Sequence, residues 1–354
     1  MTQALARFAP ASAAALAALA LVVAPEPARA ADEPTPPGPW QYSVVGGLTL
    51  GQSAFSDNWA GGDKGTVNWI LNANLDAKRQ VNTKLNLTEQ LQLAYGQTST
   101  QRSDATDPDR KTWSRPDKTT DLILFESVAR LTLQKFVDPY FSFRLDSQFL
   151  DESDPVGELL FNPVKLTETA GVARVLDKGE DKEWIARTGF GFRQSFARTF
   201  VDDAGEDTER FSTHDGGFEF QSTAKYPMAS KKIVYDGKLL LFWPVFFSKS
   251  GDLEDFDRIA IAADPTREAV ADFWKDPDVN FQNTFTSSIT SWLNVNLYLQ
   301  WVYDKFDAAS NVALEGVEGD PAALEKLQRE IDAGIRKSGQ FKQTLGIGLT
   351  YKFL

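Results

Sequence analysis

A transmembrane antiparallel up-and-down β-barrel of about twelve strands, all-β with long extracellular loops that carry short helices, is the fold this 354-residue sequence predicts. Three observations predict it. Segments of about ten residues alternate apolar and polar side chains with period two, as strands between lipid and a hydrated interior must. The connections between these segments are alternately brief and long. Aromatic residues collect at segment ends, where amphipathic rings suit the two interfaces of a membrane.

The strands are expected at 40–54, 66–78, 84–96, 120–134, 139–150, 164–176, 183–196, 213–226, 232–246, 279–291, 293–305 and 340–353. In the second, Val67, Trp69, Leu71, Ala73, Leu75 and Ala77 share one face and Asn68, Asn72, Asn74 and Asp76 the other, with Ile70 out of place. The third sets Leu85, Leu87, Leu91, Leu93 and Tyr95 against Asn86, Thr88, Gln90 and Gln92. Phe125, Ala129 and Leu131 oppose Arg130 in the fourth, and Phe141, Phe143 and Leu145 oppose Arg144 in the fifth. The eleventh sets Val295, Leu297, Leu299, Trp301 and Tyr303 against Asn294, Asn296, Gln300 and Asp304. Turns near Val81, Val137, Gly179, Ala229 and Trp292 are brief, and the connections after odd-numbered strands are longer. Short periplasmic turns and long outer loops characterise outer-membrane barrels, which places both termini in the periplasm. A soluble sheet with one wet face also alternates, but its polar face more often carries Lys and Glu than Asn, Gln, Thr and Gly.

Strand ends carry Trp40, Trp184, Tyr226, Trp292, Tyr351 and Phe353 on the expected periplasmic side and Phe55, Tyr95, Phe149, Phe196 and Trp243 on the outer side. The last strand has Gly346 and Gly348 on one face and a row ending in Tyr351 and Phe353 on the other, which resembles the C-terminal β-signal read by the outer-membrane assembly machinery. It departs from that pattern by ending on Leu354.

Arg7, an Ala/Leu/Val run from Ala11 to Ala24 and the sequence Ala28-Arg29-Ala30 read as a secretory signal peptide over residues 1–30. Residues 31–39 form a Pro-rich periplasmic linker, and 40–354 the barrel. The net charge of −12 excludes the basic footprint of a nucleic-acid binder. With no cysteine and the single His214, thiolate and multi-histidine metal centres are excluded, and no cofactor is expected. The partners implied are the bilayer, outer-membrane lipids and the assembly machinery; the oligomeric state is open.

Asn58-Trp59-Ala60-Gly61-Gly62, with Tyr95-Gly96 and Gly189-Phe190-Gly191-Phe192-Arg193, is similar to an outer-membrane β-barrel family of unknown function whose members share an N-W-x-x-G-G segment early in the barrel. The resemblance implies location and fold and no reaction. His214 invites comparison with twelve-stranded outer-membrane phospholipases, whose nucleophilic serine follows the histidine by two residues; here that position is Gly216, and Ser212 lies two residues the other way.

Charged residues expected to point inward are Asp76, Glu126, Arg130, Arg144, Asp146, Arg187, Arg193, Glu219 and Lys225. They suit a charged ring that selects ions and equally a hydrogen-bonded filling of a narrow barrel. Because the turn at Val137 makes their strands neighbours, Arg130 and Arg144 are expected in one part of the lumen, near Asp146. Glu89 breaks an outward row, and a bulge that reverses it is the favoured reading. Asp264-Pro265 and Asp320-Pro321 each read as a helix start with a capping carboxylate. The function expected is a passive or gated pore for small polar solutes or ions, not an enzyme. The alternatives are a non-conducting structural, adhesive or assembly barrel and, third, a lipid hydrolase using His214.

Overall fold

Side chains that alternate across an extended chain leave its N–H and C=O groups pointing sideways, and a closed sheet is the arrangement that pairs all of them. The computed structural model describes residues 36–53, 65–103, 111–133, 135–154, 156–201, 204–314, 317 and 320–352. Twelve long strands follow in chain order: β1 (Gln41–Ser53), β2 (Thr66–Asn82), β3 (Leu85–Ser103), β4 (Asp117–Leu131), β5 (Asp138–Ser147), β6 (Val164–Lys178), β7 (Glu183–Phe200), β8 (Thr208–Met228), β9 (Ile233–Phe247), β10 (Asp278–Ser288), β11 (Leu293–Tyr303) and β12 (Gln340–Lys352). Each pairs antiparallel with its sequence neighbours, and β12 pairs with β1, which closes the barrel. A three-residue strand, Lys111–Trp113, prolongs the β3 hairpin, and Leu150–Asp151 pairs with Leu159–Leu160 in a small separate hairpin.

Register fixes which way each side chain points. Leu48 stands opposite Leu71 and Leu349 in an outward row, and Gly47 opposite Asn72 and Thr350 in an inward one. Leu345 is 68% exposed, Phe341 65% and Phe218 62%, all on the outer wall. An apolar surface of this extent inverts the pattern of a soluble domain and is matched by a hydrocarbon surround. Trp40 stacks with Tyr42 at the short-turn end, and Tyr95, Phe149 and Phe161 make a ring series at the long-loop end.

Two expectations need correction. Glu89 is not turned inward by a bulge: it pairs in regular register with Ala77 and Ser127 and lies on the outer face, accepting from Ser127 Oγ at 3.1 Å. The β3 irregularity falls at Gly96/Gln97 instead. The Ser127 hydroxyl of the neighbouring strand supplies a hydrogen bond to the outward carboxylate, which offsets part of the cost of its direction. The first loop helix also lies upstream of its expected start. Helix α1 (Ser250–Ala263) ends at Asp264, which is its C-terminal cap, because the buried spacing Leu253, Phe256, Asp257 and Ala260 precedes Pro265 and the proline cannot continue it. Helix α2 (Pro321–Gly334) starts as expected, with the Asp320 carboxylate accepting from the N–H groups of Ala322 and Ala323.

The two helices pack into a cap at the long-loop end. Leu253, Phe256 and Ala260 of α1 meet Leu327 and Ile331 of α2 around Phe247, Val270 and Phe306. Asp257, one of the acidic residues of this stretch, is buried, its carboxylate accepting from the N–H groups of Val270 and Ala271. Asp257→Ala orphans both donors, so those amides should exchange about thirtyfold faster or more, the equivalent of ~2 kcal/mol of local stability. Hydrogen exchange read by NMR or mass spectrometry checks this, and unchanged protection would show that α1 holds the segment by packing alone.

Candidate functional site in the barrel lumen

The inward side chains of β4 to β9 are long, charged and tightly packed. Arg144 donates from Nη2 to Glu219 Oε2 at 3.0 Å and from Nε to Asp146 Oδ2 at 3.2 Å, while Thr169 Oγ1 donates to Glu219 Oε1 at 3.2 Å. Arg187 Nη2 donates to Glu126 Oε1 at 2.6 Å. Nearer the long-loop end, Arg193 is held by Asp215 and by Asp278 at 2.6 Å, and its guanidinium lies 3.7 Å from the centre of the Phe242 ring. Burial follows from this packing: Glu219 is 3% exposed, Arg144 7%, Glu126 6% and Phe242 2%. Buried charges persist only when paired and hydrogen-bonded, and these fall in three clusters, those of Arg144 and Arg187 side by side because Glu126 stands opposite Arg144, and that of Arg193 apart from them.

The opposite wall is built differently. Many inward residues of β1, β2, β10, β11 and β12 are small or amide-bearing and partly accessible, among them Ser43, Thr49, Asn72, Asn74, Asn296, Gln300 and Thr344. Asn72 lies flat against Gly47, Asn68 against Gly51 and Thr49 against Gly346, each filling the space a Cβ would take. Glycine on this wall therefore lets the polar side chains recline along the sheet instead of projecting across the lumen. Two lysines cross what remains. Lys342 of β12 reaches Thr120 Oγ1 of β4 at 3.0 Å, and at the short-turn end Lys78 of β2 meets Glu183 of β7 at 3.1 Å.

The connection from β11 to β12 crosses the long-loop mouth. Asp307 meets Lys165 of β6, five strands away around the barrel, at 2.9 Å, and the Ala308 carbonyl accepts from Thr213 Oγ1 of β8. Burial, with Asp278 and Asp307 close by, pushes the Asp304 carboxyl up to about 7, and its Oδ1 is buried without a hydrogen-bond partner. For Asp307 burial acts in the same direction, but the Lys165 ammonium and the Ala309 N–H overcome it and hold the carboxyl below the ordinary carboxylate range.

The residues singled out in the sequence fall at three heights. Glu126, Arg144, Asp146, Arg187 and Glu219 make up the two central clusters, Arg193 heads a separate one nearer the long-loop end, and Asp76 faces the lumen from β2, accepting from Gln90 Nε2 at 3.1 Å. Arg130 is not brought to Arg144: it stands opposite Tyr140, four residues along β5, and its nearest carboxylate is Asp138 at 3.8 Å. Side-chain reach across one rung does not span four. Lys225 is exposed opposite Glu183 and Asp236. Residues the sequence reading passed over are Lys238, Asp278, Lys165, Asp307 and Lys342. Lys238 precedes the unbroken apolar run Leu239-Leu240-Leu241-Phe242-Trp243, which hides the parity of β9. Asp307 lies in a long connection, where no periodicity signals its position.

Gly346, Gly348 and Tyr351 lie on β12, Gly346 and Gly348 inward and Tyr351 outward and 64% exposed. Asn58, Trp59, Gly61, Gly62, Phe353 and residues 1–30 lie outside the described residues. His214 is exposed on the outer face of β8, its ring centre 6.2 Å from that of Phe192, and its backbone N–H donates to Ser248 Oγ at 2.9 Å. Among the described residues, no group of three or more His, Asp and Glu side chains is placed to hold a metal ion.

A family model described as a protein of unknown function (DUF3078) matches residues 50–152, from the end of β1 to the small hairpin after β5. No curated protein matches the sequence. Among solved structures, an outer membrane channel from Pseudomonas putida F1 is 12% identical with a TM-score of 0.37, covering 93% of this chain and 100% of that one. The translocator domain of the autotransporter NalP from Neisseria meningitidis is 8% identical with a TM-score of 0.35, covering 91% of each chain. The β domain of the Bordetella autotransporter BrkA is 8% identical with a TM-score of 0.29, covering 88% of this chain and 98% of that one.

Proposed function

We propose that the protein is an outer-membrane barrel, both termini periplasmic, that works as a gated pore for small polar solutes or ions. The observation that carries this reading is the asymmetry of the lumen. A barrel built only for structure gains stability by filling its interior evenly, whereas here the densest charged packing lies on the β4–β9 side and the reclined Asn and Thr of the facing wall stay partly accessible. The apolar outer belt and the sorting of long and short connections support the location. The cap favours a second reading, a non-conducting barrel that presents its outer loops, since the β11–β12 connection crosses the mouth.

Single-channel recording of the refolded protein in planar bilayers separates the two. Discrete ohmic steps are the expected result, and silence at every voltage would favour the structural barrel. Orientation has its own test. A cysteine at exposed Asp255 of α1 should react with an impermeant thiol reagent on intact cells and one at Ser230, in the turn between β8 and β9, should not. Labelling at Ser230 without permeabilisation would invert the topology.

A further inference from the structure

Resting on the pore reading, the geometry points to a binding subsite for a small zwitterion at the centre of the lumen, with Lys238 as its carboxylate pole and Asp146 as its ammonium pole. Between β4 and β5 on one side and β9 and β10 on the other, the charged side chains leave a recess that opens on the lumen, its enclosed part about 40 Å³, lined by Arg144, Asp146, Lys238, Asn280 and Gln282 over an apolar floor of Leu124 and Leu240. Three cations and three carboxylates meet around it, so it carries no net charge with which to select cations or anions as a class.

What distinguishes the recess is which of those charges are left unsatisfied. Arg144 and Arg187 each hold a carboxylate at 3.0 Å or less. Among the described residues the Lys238 ammonium meets only Glu126 Oε2, at 3.9 Å, beyond hydrogen-bond range, although its side chain is 19% exposed. Asp146 accepts one bond, from Arg144 Nε at 3.2 Å, and its side chain is 36% exposed. Lys238 and Asp146 face the same recess and form no ion pair with each other. Asn280 Oδ1 already accepts from Gln282 Nε2 at 3.1 Å and Gln300 Nε2 at 3.0 Å, which leaves its own amide N–H groups as donors beside Lys238.

An under-bonded cation and an under-bonded anion that line one recess are complementary to a small molecule that carries the opposite pair of charges. A free amino acid does so, with its carboxylate on Lys238 and Asn280, its ammonium on Asp146, and a short side chain against Leu124 and Leu240. A solute with one charge satisfies one pole and leaves the other desolvated, which charge-assisted bonding penalises. Discrimination therefore comes from the unpaired pole, as in any site built to bond a group that a competitor lacks.

The test uses L-serine, acetate and methylammonium as probes on the full-length protein in planar bilayers. L-serine should interrupt or add noise to the ionic current in a saturable way, with half-saturation about tenfold lower than for either singly charged probe. Asp146→Asn and Lys238→Met should each weaken the L-serine effect about tenfold, and Lys238→Arg should retain it. Acetate acting as strongly as L-serine, or an unaltered response in Asp146→Asn, would overturn the zwitterion site while leaving the pore intact. If the bilayers are silent, saturation-transfer NMR on the protein in detergent micelles decides the site apart from the pore: transfer to L-serine that is lost in both variants upholds it, and no transfer to L-serine overturns it.

Discussion

Arg144→Ala is expected to lower the unfolding free energy of the barrel by about 3–5 kcal/mol. Glu219 is 3% exposed, and among the described residues the guanidinium at 3.0 Å is its only charged partner, so truncation leaves a buried carboxylate with the Thr169 hydroxyl as its remaining side-chain donor there. The effect belongs to the uncompensated charge, not to the pair. Replacing Arg144 and Glu219 together by leucine removes both charges and fills much of their volume, and should cost about 1 kcal/mol or less. Lys78→Ala is the contrast: its pair with Glu183 is as short, at 3.1 Å, but the two side chains are 50% and 34% exposed, so the loss should stay below about 1 kcal/mol. Urea titrations of the protein folded in lipid vesicles, followed by the shift between unboiled and boiled bands, read all three. A double leucine variant as unstable as Arg144→Ala would mean that cavity volume, not stranded charge, dominates the centre.

The twelve strands were legible because a barrel imposes its pattern on every strand at once. Outward residues must be apolar and inward ones polar, so β2 and β11 reveal their parity without any partner, and most boundaries agree within about four residues, although β3 runs seven residues past its expected end and β8 starts five residues early. Legibility failed where one strand departs from the rule. In β9 both faces are apolar, since Phe242 and Leu240 point inward against the charged network, and Lys238 was lost in that run. Glu89 was misjudged for the opposite reason: parity was right, but the hydroxyl that bonds the outward carboxylate comes from Ser127 of the neighbouring strand, and cross-strand register is not visible in the sequence. Contacts across the lumen were the least legible, because Lys165 and Asp307 are separated by 142 positions in the chain and joined only by the path of the loop.

Docking of the β11–β12 connection over the mouth as a lid should weaken as pH rises toward about 7, and conductance should rise with it. Asp304 sits at the root of the β11–β12 connection, facing Asp278 of β10 and Asp307 of the lid, with Lys165 of β6 and Arg336 of the returning lid as the nearby cations. Lys305 is paired with Asp276 at 3.0 Å, and Arg193 and Asp215 lie just beneath, already paired. Its carboxyl is pushed up to about 7 with the lid in place, above the ordinary 3.8 it regains when the lid lifts into water. The docked form therefore holds the proton more tightly. Docking is unpenalised below about pH 4, weakens by up to tenfold per pH unit above that, and carries the full penalty beyond about 7. Asp307 has the reverse sign: held below its ordinary range by Lys165, it favours docking above about pH 4 and loses that contribution on acidification. The two together place tightest closure at mildly acidic pH. Bilayer recordings between about pH 5.5 and 8.5 should show larger or more frequent openings at the alkaline end. Asp304→Asn removes the titrating charge and should keep the lid closed at high pH, whereas Asp307→Asn breaks the bridge to Lys165 and should open it throughout. A conductance indifferent to pH in the unmodified protein, together with no change in Asp304→Asn, would show that the connection across the mouth does not gate.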